Sequence, residues 1–182
     1  MLRHSRSLWA REPLDLGIAD GCEPAYASSQ LAWLSTHEGV AAASLAVEPG
    51  GWPDAAAALS KLDSCLRRLA LSAALGAELG GAQSFLWALR GLTALKLDAV
   101  VHTLNNAVTL LTALRELAVA CGGPCDDFFV PDGLVSLAPS LTSLRLRRCL
   151  CYLPPALAAL TGLQDLSLEG SILHDTTPEA IE

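Results

Sequence analysis

In the segment LPPALAALTGLQDLSLEGS, residues 153–171, the apolar positions are Leu153, Leu157, Leu160, Leu163, Leu166 and Leu168. The steps are four, three, three, three and two. The same steps recur in LNNAVTLLTALRELAV, through Leu104, Val108, Leu111, Leu114, Leu117 and Val119. FLWALRGLTALKL lacks only the first step, with Leu86, Leu89, Leu92, Leu95 and Leu97. VPDGLVSLAPSLTSLRL carries Val130, Leu134, Leu137, Leu141, Leu144 and Leu146, with one extra residue near Pro139. The pattern thins upstream to Leu66, Leu69 and Leu71, then to Leu45 and Val47 with Ala42 in place of a leucine. Leu14 and Leu16 in EPLDLG read as an outlying copy. Counted from the last apolar residue of each unit (47, 71, 97, 119, 146, 168), the spacings are 24, 26, 22, 27 and 22.

Such a repeat leaves few folds open. Steps of three and four place side chains on one face of a helix, and a step of two places them on one face of a strand. Each unit is therefore predicted to be a short helix followed by a short strand, both turned to the same interior. A single unit cannot bury that face alone, so units must stack. Their strands then pair in parallel at about 4.8 Å. Helices are predicted over 83–92, 105–115 and 154–162. Pro53, Pro131, Pro154 and Pro155 fall at or just before helix starts, where a missing N–H does no harm. Gly-Gly pairs at 50–51, 80–81 and 122–123 mark turns between units. SSQLAWLSTHEG reads as a helix with Ser28 or Ser29 as N-cap and Gly39 as its stop.

This pattern resembles the leucine-rich-repeat family, in its short form Leu-Pro-x-x-Leu-x-x-Leu-x-x-Leu-x-x-Leu-x-Leu-x-x-Asn. The resemblance covers about residues 40–172. It implies an α/β fold, a curved solenoid with parallel strands on the concave side and short helices on the convex side. The chain then divides into an irregular, partly helical segment or cap at 1–40, about six repeats at 41–172, and an acidic tail at 173–182. One departure stands out. The asparagine that closes the family's unit is replaced by Gly50, Ala74, Val100, Gly122, Cys149 and Ser171, so the usual asparagine ladder is expected to be absent. No polar cap follows the last repeat. Three explanations stay open: the tail folds back, the chain is a fragment of a longer array, or a partner covers the end.

Composition narrows the function. Just over half of the 182 residues are apolar, enough for a sizeable core. Aromatics are only 5%, so that core must be aliphatic. A net charge of −7 argues against a nucleic-acid binder and against a polybasic membrane anchor. No uncharged apolar run approaches the length of a membrane span. The start, MLRHSRSLWAR, has arginines but no apolar run behind it, so no secretory signal is read there. Six cysteines without a signal read as reduced intracellular thiols. A cytoplasmic location is expected, with the cytoskeleton or a ciliary axoneme as variants.

The strand pattern names a candidate surface. The residues between the leucines face solvent: Ser44, Ala46 and Glu48; Arg68, Ala70 and Ser72; Ala94, Lys96 and Asp98; Glu116, Ala118 and Ala120; Ser143, Arg145 and Arg147; Asp165, Ser167 and Glu169. The partner-binding candidates are Arg68, Lys96, Asp98, Glu116, Arg145, Arg147, Asp165 and Glu169. Arg145, Arg147 and Arg148 form a basic spot beside acidic Asp165 and Glu169. These charges either grip a protein partner, arginine being a frequent anchor, or pair with each other across neighbouring strands.

Chemistry is harder to find. Cys121, Cys125, Cys149 and Cys151 lie in adjacent units, but their C-x-x-x-C and C-x-C spacings are not the usual zinc knuckle. Buried or idle thiols are expected there. Cys22 and Cys65 have no evident partner. His4, His37, His102 and His174 are scattered and suggest no catalytic triad. GAELGG lacks the lysine of a phosphate loop. The acidic pair in CDD, 125–127, reads as a loop cluster. Trp9, Trp33, Trp52 and Trp87 read as packing residues. No catalytic residue, metal ligand, cofactor or small-molecule substrate is expected. The expected function is a non-catalytic protein–protein interaction module that binds a protein partner on its concave face. Alternatives are the substrate-recognition part of a ubiquitin ligase or a cytoskeletal or axonemal scaffold component. Behind them stands an enzyme or zinc-binding regulatory domain.

Overall fold

A computed structural model describes residues 14–16, 40–47, 57, 59–61, 65–73, 86–99, 106–121, 127–130, 132–148, 150–152 and 155–174. Ten strands are described: β1 (Leu14–Leu16), β2 (Ala42–Val47), β3 (Arg68–Ala73), β4 (Ala94–Ala99), β5 (Glu116–Cys121), β6 (Asp127–Phe129), β7 (Ser143–Arg147), β8 (Leu150–Tyr152), β9 (Asp165–Ser167) and β10 (Ile172–His174). Seven form one open, parallel sheet in the order β1-β2-β3-β4-β5-β7-β9. Each unit of the sequence thus contributes the next strand, and the arrangement is α/β-like. The expected helix with Ser28 or Ser29 as its cap lies outside the described residues.

In-register leucines hold this sheet together. Leu69, Leu95, Leu117, Leu144 and Leu166 occupy matching positions on successive strands. Leu45, Leu71, Leu97, Val119 and Leu146 form a second matching row. Leu66, Leu92, Leu114 and Leu141, three residues before the first row, are buried in the same core. With about 1.5–3 kcal/mol for each fully buried leucine, these rows supply the main drive for stacking.

A backbone ladder fixes where each strand begins. The N–H groups of Arg67 and Arg68 both donate to the Ala41 carbonyl, at 2.8 and 3.0 Å. The pairs Thr93/Ala94, Arg115/Glu116, Thr142/Ser143 and Gln164/Asp165 donate in the same way to Arg67, Thr93, Arg115 and Thr142. The hydroxyls of Thr93 and Thr142 add third donors to the Arg67 and Arg115 carbonyls, at 3.0 and 3.1 Å. After β9, Ser171 Oγ donates to the Leu146 carbonyl at 3.1 Å, tying this turn to the neighbouring strand β7.

Several expectations change. The inward pair of β2 is Ala43 and Leu45, in register with Leu69 and Leu71, not Leu45 and Val47. Val40 is buried ahead of them. A two-residue slip keeps every side chain on its face, so alternation alone cannot detect it. The matching positions 45, 71, 97, 119, 146 and 168 are then spaced 26, 26, 22, 27 and 22. The expected helices are short 3₁₀ segments at Asn106–Leu110, Asp132–Leu137 and Pro155–Ala159, with another described over 86–88. Within them the inward steps are all three, as in Val108 to Leu111 and Leu134 to Leu137, which is the period of a 3₁₀ helix. Steps of four run into the segments at Asn106–Leu110 and Asp132–Leu137, from Leu104 to Val108 and from Val130 to Leu134. Trp87 is 56% exposed rather than packed, because Leu86 and Leu89 hold the two inward positions around it.

A second parallel sheet, β10-β8-β6, was not anticipated. Its register aligns Phe128, Cys151 and Leu173. Asp127 therefore begins a strand rather than sitting in a loop cluster. β10 runs to His174, two residues into the segment read as the tail.

The stack ends on an uncovered unit. Leu166 shares its row with buried Leu144, yet it is 53% exposed, since no further strand lies beyond β9 among the described residues. Leu144→Ala is expected to cost about 2–5 kcal/mol in urea-monitored unfolding. Leu166→Ala is expected to cost less than about 1.5 kcal/mol, because half its surface is already wet. Gly162 shows how tightly units meet: a Cβ there would lie 2.9 Å from the Ala138 carbonyl oxygen. Gly162→Ala should lower stability by about 1–3 kcal/mol in the same measurement.

Candidate functional site on the solvent face of the sheet

Alternation along each strand turns every second side chain away from the leucine core. In-register pairing gathers these into rows. The first row is Ala42, Arg68, Ala94, Glu116, Ser143 and Asp165. The second is Ser44, Ala70, Lys96, Ala118, Arg145 and Ser167. The third holds Ala46, Ser72, Asp98, Ala120 and Arg147. Ala42 thus belongs to the face; Glu48, expected there, lies outside the described residues.

One side of this face is tied up by its own ions. Arg145 reaches Asp165 Oδ2 through Nε at 3.0 Å and a terminal nitrogen at 2.7 Å. Ser143 Oγ donates to the same oxygen at 3.1 Å. Arg147 pairs with Glu169 at 3.0 Å. Arg148 reaches across β5 to Asp98 at 3.9 Å, and Lys96 approaches the other oxygen of Asp98 at 4.0 Å. Arg148 does so from a left-handed backbone, φ 55°. Below that reach lies Ala120, expected on the open face but only 6% exposed, in register between Asp98 and Arg147. These pairs are exposed and screened by solvent, so each adds little to stability. Their effect is to fix side chains and to mask charge.

The other side is open. A concavity of about 470 Å³ lies over β2 to β5 and the start of β7. Small residues line it, among them Ala42, Ser44, Ala70, Ala94 and Ala118. The charges at it are Arg68, Lys96, Glu116 and Arg145. Four of the eight candidate residues are therefore brought to the concavity. Asp98, Arg147, Asp165 and Glu169 are not; they serve as ion-pair partners beside it. Sequence reasoning placed the emphasis on Arg145 and Arg147. It missed Ala42 and the Ser143 hydroxyl on Asp165, and no signal in a single sequence fixes the β2 register that reveals the former.

Chemistry on this face is limited. Among the described residues, no group of three or more His, Cys, Asp or Glu could hold a metal ion. Cys121 is buried and Cys65 is half-buried against the core. Cys151 lies in β8. Cys22, Cys125, Cys149, His4, His37 and His102 lie outside the described residues, as do Trp9, Trp33 and Trp52. No helix among the described residues is long and apolar enough to cross a membrane.

No protein-family model matches the chain, and no curated protein matches it. The reading of this face therefore rests on its geometry.

That geometry makes a pH statement. The hydrogen bonds from Arg145 first, and then Ser143, hold the Asp165 carboxyl below the ordinary aspartate value, and the same partner raises Arg145. A carboxyl lowered on folding adds stability above its unfolded pKa and loses it as pH falls through the folded one. Asp165→Asn should therefore lower Tm slightly at neutral pH. The difference from wild type should begin to shrink once pH falls below about 3.9, where aspartate ordinarily protonates, and should vanish only below the lowered value of the folded state. Thermal melts of both proteins across that range check this.

Proposed function

We propose that this chain is a leucine-rich-repeat solenoid and acts as a non-catalytic module that binds a protein partner on the curved inner face of its sheet. The observation that carries the reading is the open concavity floored by small residues over β2 to β5. Alanines and serines at Ala42, Ser44, Ala70, Ala94 and Ala118 allow a partner's backbone to approach closely. The stacked, in-register units supply a rigid frame under it, as a repeat array does. An interface of this kind needs anchors at its centre and a polar rim. Arg68, Lys96 and Glu116 are placed to give that rim.

Filling the floor tests this. Ala118→Trp puts a large ring into the concavity, whereas Val135→Trp puts the same ring on an exposed 3₁₀ position away from it. Affinity capture with wild type should retrieve a partner that Ala118→Trp loses by about tenfold or more, with Val135→Trp unchanged. Circular dichroism confirms that both variants fold. Equal retrieval by all three proteins rejects the inner face as the docking site.

A further inference from the structure

We infer that the concavity takes an extended, acidic peptide segment, with one carboxylate seated between Arg68 and Lys96. This rests on the docking reading above and adds the chemistry of the occupant. Arg68 is in register with Ala94, and Lys96 is in register with Ala70. The two cations are therefore diagonal neighbours on adjacent strands, with Cα atoms about 7–8 Å apart. Both side chains are long enough to converge on one anion. Arg68 makes no ion pair among the described residues. Lys96 has only the 4.0 Å approach to Asp98, the longest pair on the face. Asp98 is itself shared with Arg148.

The neighbouring half of the face is already paired. Arg145 and Arg147 each have a carboxylate within 3.0 Å, so a partner's anion would have to displace one. At Arg68 it would fill a gap, and at Lys96 it would compete only with the 4.0 Å approach to Asp98. The small floor lets an extended backbone lie against the strands, and its alternate side chains point into the face. Glu116 on the same floor favours a neutral or basic residue of the partner at that end. It also opposes nucleic acid, which carries a phosphate at every step, and the chain's net charge of −7 does the same.

The experiment selects a phage-displayed library of random linear peptides against the immobilised full chain. Recovered peptides are then synthesised and measured by fluorescence anisotropy against the wild type and three variants. Peptides carrying Asp or Glu are expected. Their affinity should fall about tenfold or more on Arg68→Glu/Lys96→Glu, fall on Ala118→Trp, weaken with added salt, and hold on Arg147→Glu. Peptides blocked by Ala118→Trp yet indifferent to the double reversal would overturn the acidic class while leaving the docking face standing. Recovery of no peptide, or only of peptides indifferent to Ala118→Trp, would take both down. An oligothymidine probe that bound more tightly than any peptide, and lost binding on the double reversal, would overturn the proposal in favour of nucleic acid.

Discussion

Three or four leucines on one short strand and its lead-in cannot hide from water within their own unit. Everything else in this structure follows from that shortage. Leu95 is covered because Leu69 and Leu117 stand in register on either side of it. The carbonyl ladder from Ala41 through Thr142 makes the register unambiguous, since each rung starts the next strand at a fixed residue. Hydrophobic burial supplies the attraction and is indifferent to small slides; the paired N–H donors supply the alignment. Units of unequal length can then share one sheet, with the surplus residues leaving between strands.

The parts of the fold legible in the sequence were those that period can report. Strands β3, β4, β5, β7 and β9 fall where the two-residue step falls. What period cannot report was misread. The slip at β2 preserves sidedness, and alanine at Ala43 carries too little apolar weight to mark the inner position. Steps of three and four together mark a helix without saying which kind, so the 3₁₀ geometry and the short length of these segments are not legible in the sequence. The sheet β10-β8-β6 has strands of three residues, too short to show alternation against the glycines and cysteines around them. For the candidate surface, the face was legible but its division was not. Which arginine meets which carboxylate depends on side-chain reach across strands, as Arg148 over β5 shows.

That division matters for how the face is used. Charge on a surface is a resource only where it is not already spent on a neighbour. Asp165 gathers three donors on one oxygen, so the side near β9 is electrically quiet and conformationally set. The side over β3 and β4 keeps two cations above a floor of methyl groups. A face of mixed sign thus resolves into a stiff, self-satisfied half and a receptive half, and counting charges along the sequence cannot separate them.

The bareness of Leu166 has a mechanical consequence. An interior strand lost from the stack forfeits contacts with two flanking strands, whereas β9 forfeits those with one and already carries a half-wet leucine. Opening the array at this edge therefore costs less than splitting it between two interior strands. The same bare rung makes this margin the natural seam at which the stack could lengthen without disturbing the rungs beneath.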